Sequence, residues 1–266
     1  MMNIIRADIY RIFRGKAIYI TFALLLLLNV LVVATSSPGG LVVSVTGEET
    51  VASYADENFV YDGKNIPEVL YNSTPNLIYF LLPLLIAVAA PMFSHGTVKN
   101  SLSFGISRTK LYFAKLILSS GLTLLMMLFY MSSGILIATV IRGYGGTPPD
   151  GYWLNILKIC SAQLFMLIAM NCMGVYLVFA SKRTAIVNGA YIAFCLVPTA
   201  IIMALILVDP DFSRLFDFEF NQIILRFGTI ETMKTRDFVT SFATGAFFIT
   251  VPTVAGIISF RKAEIK

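Results

Sequence analysis

Charged side chains are scarce in this chain of 266 residues: Asp, Glu, Lys and Arg make up 13% of it, about half of the ~25% found in average soluble domains. Hydrophobic residues make up 57%, above the usual share of about 45–50%. This composition excludes an ordinary water-soluble globule, and the apolar content excludes a chain that is mainly disordered. We therefore predict an integral membrane protein, whose structural unit is a segment of about 20 apolar residues.

Residues for metal binding and catalysis are also lacking. The sequence has one histidine, His95, and three cysteines, Cys160, Cys172 and Cys195, which lie in apolar runs without a CxxC spacing. This excludes a multi-histidine metal site and gives no indication of a disulfide framework or a zinc site. No Walker lysine motif is present, so ATP is not bound by that route. We predict no metal and no catalytic site, and hence that the chain is not an enzyme.

The hydrophobic runs predict an all-α integral membrane protein with a single transmembrane domain over residues 1–266. Three of the predicted spans contain proline, which a membrane helix tolerates at the cost of a kink. The third run is longer than a bilayer requires, so its helix is expected to tilt or to project. The six predicted spans are residues 17–35, 77–93, 111–141, 154–180, 185–208 and 238–260.

The interiors of these spans contain no Asp, Glu, His or Arg, which disfavours an ion-coupled carrier or a channel with charged rings. Lys115 and Lys158 lie near span ends, where their amines are expected to snorkel to the membrane surface. The polar groups within the spans include the amides of Gln163, Asn171 and Asn188. Two interpretations stay open for them: hydrogen bonds between helices, or a neutral path for an amphipathic substrate.

The distribution of charge predicts the topology. With the N-terminus in the cytoplasm, 13 of the 20 Lys and Arg residues lie on the cytoplasmic side, and 13 of the 15 acids lie outside. This satisfies the positive-inside rule at every connection. We predict a multi-pass protein of the cell membrane with both termini in the cytoplasm. The cytoplasmic basic residues would be Arg6, Arg11, Arg14, Lys16, Lys99, Arg108, Lys110, Lys115, Lys182, Arg183, Arg261, Lys262 and Lys266.

Three segments outside the spans have distinct patterns. Residues 1–16 place apolar residues at helical spacing with arginines between them, which favours an amphipathic helix in the membrane interface over a simple basic tail. The loop 36–76 is acidic, and residues 41–46 have a strand-like pattern. The segment 209–237 is too apolar for a free loop, so we expect it to lie against the outer leaflet or to dip into it.

The link between the second and third spans carries the most specific pattern, Ser94-His-Gly-Thr-Val-Lys-Asn-Ser-Leu-Ser-Phe-Gly-Ile-Ser-Arg108. Thr97 is a good N-cap for a short helix, in which Val98, Ser101 and Leu102 would form one face. Gly105 would end this helix, and Ser107 would cap the next one. The prediction is a short helix across the cytoplasmic side that fits a groove on a soluble partner. The alternative is a basic loop that only anchors topology.

This link resembles the coupling helix of the type-2 ABC exporter permeases, whose consensus is near E-x-G-T-hydrophobic-K-x-L-L-x-x-P-I-S-R with a lysine early in the next helix. The six spans, an N-terminal elbow helix, the tight turn at residues 181–183 and the apolar segment before the last span are similar as well. The sequence departs from the pattern at Ser94 and His95, which replace the acid, and at Gly105, which replaces the proline. The matching residues are Gly96, Thr97, Lys99, Ser101, Leu102, Ile106, Ser107, Arg108 and Lys115.

The resemblance implies a permease subunit that exports an amphipathic substrate, such as a peptide, an antimicrobial or a lipid-like molecule. The variant of the link is nearest to Gram-positive permeases for peptide and antimicrobial export or immunity. A separate ABC ATPase subunit would bind ATP and Mg, a second permease chain, identical or homologous, would complete the pore within membrane lipid, and no nucleic acid is implied. The alternative function is a non-transport membrane scaffold or sensor. The implied coupling residues are Gly96, Thr97, Lys99, Ser101, Leu102, Ser107 and Arg108.

Overall fold

The computed structural model describes residues 2–35, 60–94, 105–229 and 235–262, together with Val98 and Ser103. Helices dominate these ranges and no strand occurs in them. Six of the helical segments are long and apolar enough to cross a membrane, which confirms the predicted all-α membrane fold. The strand-like pattern at residues 41–46 lies outside the described ranges.

The described helices are numbered here in chain order. The second membrane-length segment, Thr74–Phe93, combines a 3₁₀ turn with α4 and most of α5; the others are α2, α6, α7, α8 and α10. The helices are α1 (Met2–Arg14), α2 (Lys16–Thr35), α3 (Ile66–Asn72), α4 (Leu77–Ala89), α5 (Pro91–Ser94), α6 (Arg108–Arg142), α7 (Tyr152–Ser181), α8 (Thr184–Ile206), α9 (Phe220–Arg226) and α10 (Thr235–Lys262).

The ends of these helices agree with the predicted spans to within a few residues. The helices α4, α8 and α10 continue through Pro83, Pro198 and Pro252. The second span is interrupted at Ala90, immediately before Pro91, which has no N–H to continue the hydrogen-bond ladder. The predicted amphipathic helix is present as α1, and Gly15 ends it by donating its N–H to the carbonyl of Ile12.

The face of α1 that meets the bundle differs from a purely apolar stripe. Ile12 is buried there together with the carboxylate residue Asp8, while Ile9, Tyr10 and Phe13 are exposed on the opposite side. The helix therefore has two apolar surfaces, one against the protein and one available to the membrane interface. The spacing of Ile and Phe in the sequence predicts one apolar face and does not show which of these residues contact the protein and which are exposed.

Small residues allow the membrane-length helices to approach each other closely. A Cβ added at Gly256 of α10 would overlap the ring of Tyr112 on α6. Close contact at small residues is the usual basis of helix packing in membranes, because lipid gives no hydrophobic force between helices. The position of Gly256 thus sets how near α10 lies to α6.

Two segments outside the spans pack into the bundle at the end opposite the chain termini. In the first, Gly63 and Lys64 donate their N–H groups to the carbonyls of Gly143 and Tyr144 at the end of α6. In the second, which runs through the 3₁₀ turn Pro210–Phe218 and α9, some of the aromatic residues expected at the leaflet are buried in the protein core instead. The buried apolar residues of this segment are Phe216, Phe220, Ile223, Ile224 and Phe227, whereas Phe212, Leu215 and Phe218 remain exposed.

Candidate functional site

The candidate site is the region around the link between α5 and α6. Of the predicted coupling residues, Ser107 and Arg108 are described, and Gly96, Thr97, Lys99, Ser101 and Leu102 lie outside the described ranges. Val98 is buried in the hydrophobic core, whereas Ser103 is exposed. The predicted face that includes Val98 therefore turns toward the bundle at that residue.

The end of the link has the predicted capping geometry. Gly105 has φ +78°, a conformation that glycine adopts without the steric cost borne by other residues. Ser107 is extended, and its side-chain oxygen accepts a hydrogen bond from the N–H of Lys110. This is the N-cap predicted from the sequence, and it fixes where the link ends and α6 begins.

Arg108 joins the start of α6 to the end of α10. Its Nη1 atom donates hydrogen bonds to the carbonyls of Phe260, at 3.0 Å, and Arg261, at 2.7 Å. The guanidinium carbon also lies 6.0 Å from the centre of the Phe260 ring. The last carbonyls of a helix have no intrahelical donor, and a cation there is favoured by the helix dipole. The predicted coupling residue Arg108 thus binds another span of its own chain.

A buried group of charges lies about two turns after Arg108 on α6. Lys115 Nζ is 2.7 Å from Asp8 Oδ2, and Arg11 Nη2 is 2.9 Å from Asp8 Oδ1. Asp8 and Lys115 expose only 6% and 2% of their surfaces. Arg11 also donates to the carbonyl of Val88 in α4, at 3.2 Å. The expectation that the amine of Lys115 snorkels to the membrane surface was wrong, because the carboxylate of Asp8 on α1 holds it inside the protein. Lys158, for which the same was expected, is exposed.

Sequence reasoning did not identify Asp8 as part of this charged group. One signal was available, because Asp8 is the only acid in an otherwise basic N-terminal segment, and a buried ion pair needs both charges to offset their desolvation. The charged group connects α1 with α4 and α6, and Arg108 connects α6 with α10. Four helices are therefore tied together beside the link, at the end of the bundle where the chain begins and α10 ends; we call this end the terminal side.

The three amides predicted for a substrate path have separate surroundings. The Nδ2 atom of Asn171 donates to the hydroxyls of Ser119, at 3.0 Å, and Ser120, at 3.1 Å, and so joins α7 to α6. Asn188 is exposed on α8. Asn171 is buried and agrees with the interpretation as a bond between helices, whereas Asn188 faces away from the protein.

Gln163 connects α7 to both segments that pack at the opposite end. Its Nε2 atom donates to the carbonyl of Tyr71, at 2.8 Å, and to that of Ile224, at 3.1 Å. Both acceptors lie near the C-terminal ends of short helices, α3 and α9, where carbonyls lack intrahelical donors.

Burial raises the pKa of the Tyr71 hydroxyl, and the carboxylate of Glu68 adds to this effect, so the phenol stays protonated.

A second buried acid, Glu219, was not identified from the sequence because it lies outside the predicted spans. Its carboxylate accepts hydrogen bonds from Thr199 Oγ1 at 2.9 Å, Asn221 Nδ2 at 2.9 Å and the N–H of Gln222 at 2.8 Å. Thr199 belongs to α8, so the carboxylate lies beside a membrane span. Glu219 is the N-cap of α9, and its carboxylate joins α8 to the start of that helix.

The described ranges contain no group of three or more His, Cys, Asp or Glu residues placed to hold a metal ion. The site instead consists of contacts that join helix ends. No protein-family model matches the chain, and no curated protein matches it. The resemblance to type-2 ABC exporter permeases is therefore an expectation from the sequence of the link and the predicted order of the spans.

Proposed function

We propose that this chain is a permease subunit of an ATP-driven ABC exporter for an amphipathic substrate such as a peptide, an antimicrobial or a lipid-like molecule. An ATPase subunit that carries ATP and Mg would dock on the terminal side, at residues 94–110. A second permease chain, identical or homologous, would pack beside the first. The observation that carries the proposal is the position of Arg108 and Lys115, which follow the link directly and bind α10 and α1.

The proposed coupling follows from these contacts. A displacement of the link would enter α6 at Ser107, reach α10 through Arg108 and reach α1 through Lys115. It would also act on α4, because α4 leads into the link and its Val88 carbonyl is bound by Arg11. Helices joined in this way move as one body, as expected when ATP binding changes the access of a transporter from one side to the other.

Two features of the sequence support the ATP-driven class and the orientation. The predicted spans lack internal acids, which ion-coupled carriers need for proton or sodium relays. The excess of Lys and Arg on the terminal side supports a cytoplasmic location for that side, where ATP is present. The resemblance of the link then assigns the site at which the ATPase would bind.

The test is co-purification with ATP hydrolysis as the readout. The full-length chain, extracted from its native membrane in a mild detergent, is expected to elute with a MgATP-hydrolysing subunit. Lys99→Gln in the link should weaken this association, and Lys262→Gln on α10 is the matched control for loss of a basic residue on the same side. Elution without any ATPase would contradict the proposal and favour a scaffold or sensor.

Glu219 supports one competing function, an ion-driven carrier, since a buried acid beside a span is the usual site of ion coupling. Glu219→Gln separates the two functions, because it removes the charge but retains an oxygen that caps α9. For an exporter we expect substrate export from energised cells to persist in Glu219→Gln with the same dependence on external pH. Export that fails in this variant, while a proton gradient alone drives export in the wild type, would favour the carrier.

A further inference from the structure

Both ends of the link between α5 and α6 meet one residue of the last span, Phe260. Before the link, the ring centre of Phe93 lies 6.4 Å from that of Phe260, with the two rings edge to face. After the link, the guanidinium carbon of Arg108 lies 6.0 Å from the centre of the Phe260 ring, and its Nη1 atom donates to the Phe260 carbonyl. The two ends of the link are therefore connected through α10 as well as through the link itself.

Phe179 on α7 extends this contact to two more helices. Its ring centre lies 5.4 Å from that of Phe93 and 4.8 Å from that of Phe260. It also lies 4.8 Å from the ring centre of Tyr112 on α6. These distances are typical of favourable aromatic pairs, whose stability depends on the relative orientation of the rings. We call these four side chains, Phe93, Tyr112, Phe179 and Phe260, the aromatic cluster.

The aromatic cluster is close-packed inside the protein. Tyr112, Phe179 and Phe260 are almost completely buried, and Phe93 is partly buried against the same hydrophobic core, to which Val98 of the link also belongs. Protein interiors of this kind have few voids and low compressibility, so that a displaced side chain displaces its neighbours. A shift of either end of the link thus acts on the ring of Phe260.

We propose that Phe260 is a positioning residue for the link: its ring holds Phe93 on one side of the link and Arg108 on the other, and transfers a displacement of the link to α10 and, through Phe179, to α7. The role in coupling to ATP hydrolysis rests on the proposed function. The holding of the two ends of the link rests on the contacts of Phe260 alone. A ring that only filled the core would be equivalent to other aromatic contacts of α10.

The test compares Phe260→Leu with Phe248→Leu, since leucine stays apolar but lacks the ring. Phe248 is the matched control because it also lies on α10 and makes edge-to-face contacts with two other elements, through Phe194 at 5.7 Å and Phe220 at 5.5 Å. It lies about 18 Å before Phe260 along the helix. Hydrogen exchange and thermal unfolding are measured on the purified full-length chain, and export per ATP hydrolysed is measured on the reconstituted complex.

We expect hydrogen exchange at residues 91–94 and 105–110 to be about tenfold faster in Phe260→Leu than in wild type, since two aromatic contacts are lost. Export per ATP hydrolysed should fall while ATP hydrolysis persists, whereas Phe248→Leu should leave both quantities unchanged. Phe93→Leu removes one of the same contacts from the side of the link and should change both quantities in the same direction, which gives a second variant that does not alter α10.

Unchanged exchange in Phe260→Leu and Phe93→Leu, or an equal acceleration in Phe248→Leu, would overturn the proposal. Faster exchange with wild-type export per ATP hydrolysed would overturn the coupling role. A wild-type chain that binds no ATPase would contradict the proposed function and the coupling role with it, and the exchange result would still decide whether Phe260 holds the link.

Discussion

Asp8 on α1 and Lys115 on α6 form an ion pair of 2.7 Å that the surrounding helices bury. The pair connects an amphipathic helix that precedes the first span to the third span, across more than a hundred residues of chain. It thereby makes α1 part of the bundle rather than a separate membrane anchor. The pair joins α6 to α1 directly, without α2 between them.

Removal of Asp8 alone should be more damaging than removal of both partners of this pair. Asp8→Asn leaves the buried amine of Lys115 without a counter-charge, which typically costs about 3–5 kcal/mol of stability. Lys115→Met should cost less, because Asp8 keeps its ion pair with Arg11. The double variant Asp8→Leu with Lys115→Met should recover much of that loss. Thermal unfolding in detergent measures these differences, with the exposed Lys110→Met as the control. Additive losses in the double variant would show that the pair is not coupled.

Substitution of Arg108 should separate ATP hydrolysis from transport. Arg108→Glu removes both hydrogen bonds to the carbonyls of Phe260 and Arg261 and places a negative charge at the C-terminus of α10, where the helix dipole disfavours it. We expect the assembled complex to hydrolyse ATP while export is lost, and Gly96→Trp in the link to have the same effect. The measurement compares both rates in reconstituted vesicles. Wild-type export in both variants would remove the link from the coupling path.

Two glycines in the spans provide a matched comparison of helix packing. Gly256→Ala on α10 would overlap Tyr112 on α6, whereas Gly121→Ala on α6 would enter open space. Overpacking typically costs about 1–3 kcal/mol, and replacing a helical glycine by alanine in open space adds roughly 0.5–1 kcal/mol of stability. The two variants should therefore shift the unfolding temperature in opposite directions. A stable Gly256→Ala protein would mean that α10 is not held against Tyr112.

The role of Gln163 is tested by Gln163→Leu. The change leaves the carbonyls of Tyr71 and Ile224 without their donor, and a buried acceptor without a partner costs about 1–3 kcal/mol. We expect faster hydrogen exchange across α9, with exchange in α2 unchanged. Asn188→Leu is the control, since Asn188 is exposed and donates to no described neighbour. If export of one substrate class changed while exchange did not, the amide would belong to a substrate path instead.

The elements that the sequence predicted correctly are those defined by residues next to one another in the chain. Runs of apolar residues defined the spans, and Ser107 was identified as an N-cap because the capping residue and the helix it caps are adjacent. The partners of Arg108, Lys115 and Gln163 were not predicted, since each is far away in the chain and hydropathy describes one segment at a time. For the same reason Lys115 was expected at the surface.

The burial of part of the segment 209–237 could not be predicted for a similar reason. Its aromatic residues indicated a low-polarity environment, but composition alone does not distinguish lipid from protein as that environment. The burial of Phe216 beside the exposure of Phe218 depends on how the 3₁₀ turn Pro210–Phe218 lies on the bundle. That placement follows from the Thr199–Glu219 and Gln163–Ile224 hydrogen bonds, which join residues of different elements.

The hydrogen bonds of Arg108 to the end of α10 have a consequence for the order of assembly. Their acceptors, the carbonyls of Phe260 and Arg261, lie about 150 residues later in the chain. During translation α6 is therefore complete well before the contact that joins it to α10 can form, so this contact belongs to a late stage of folding.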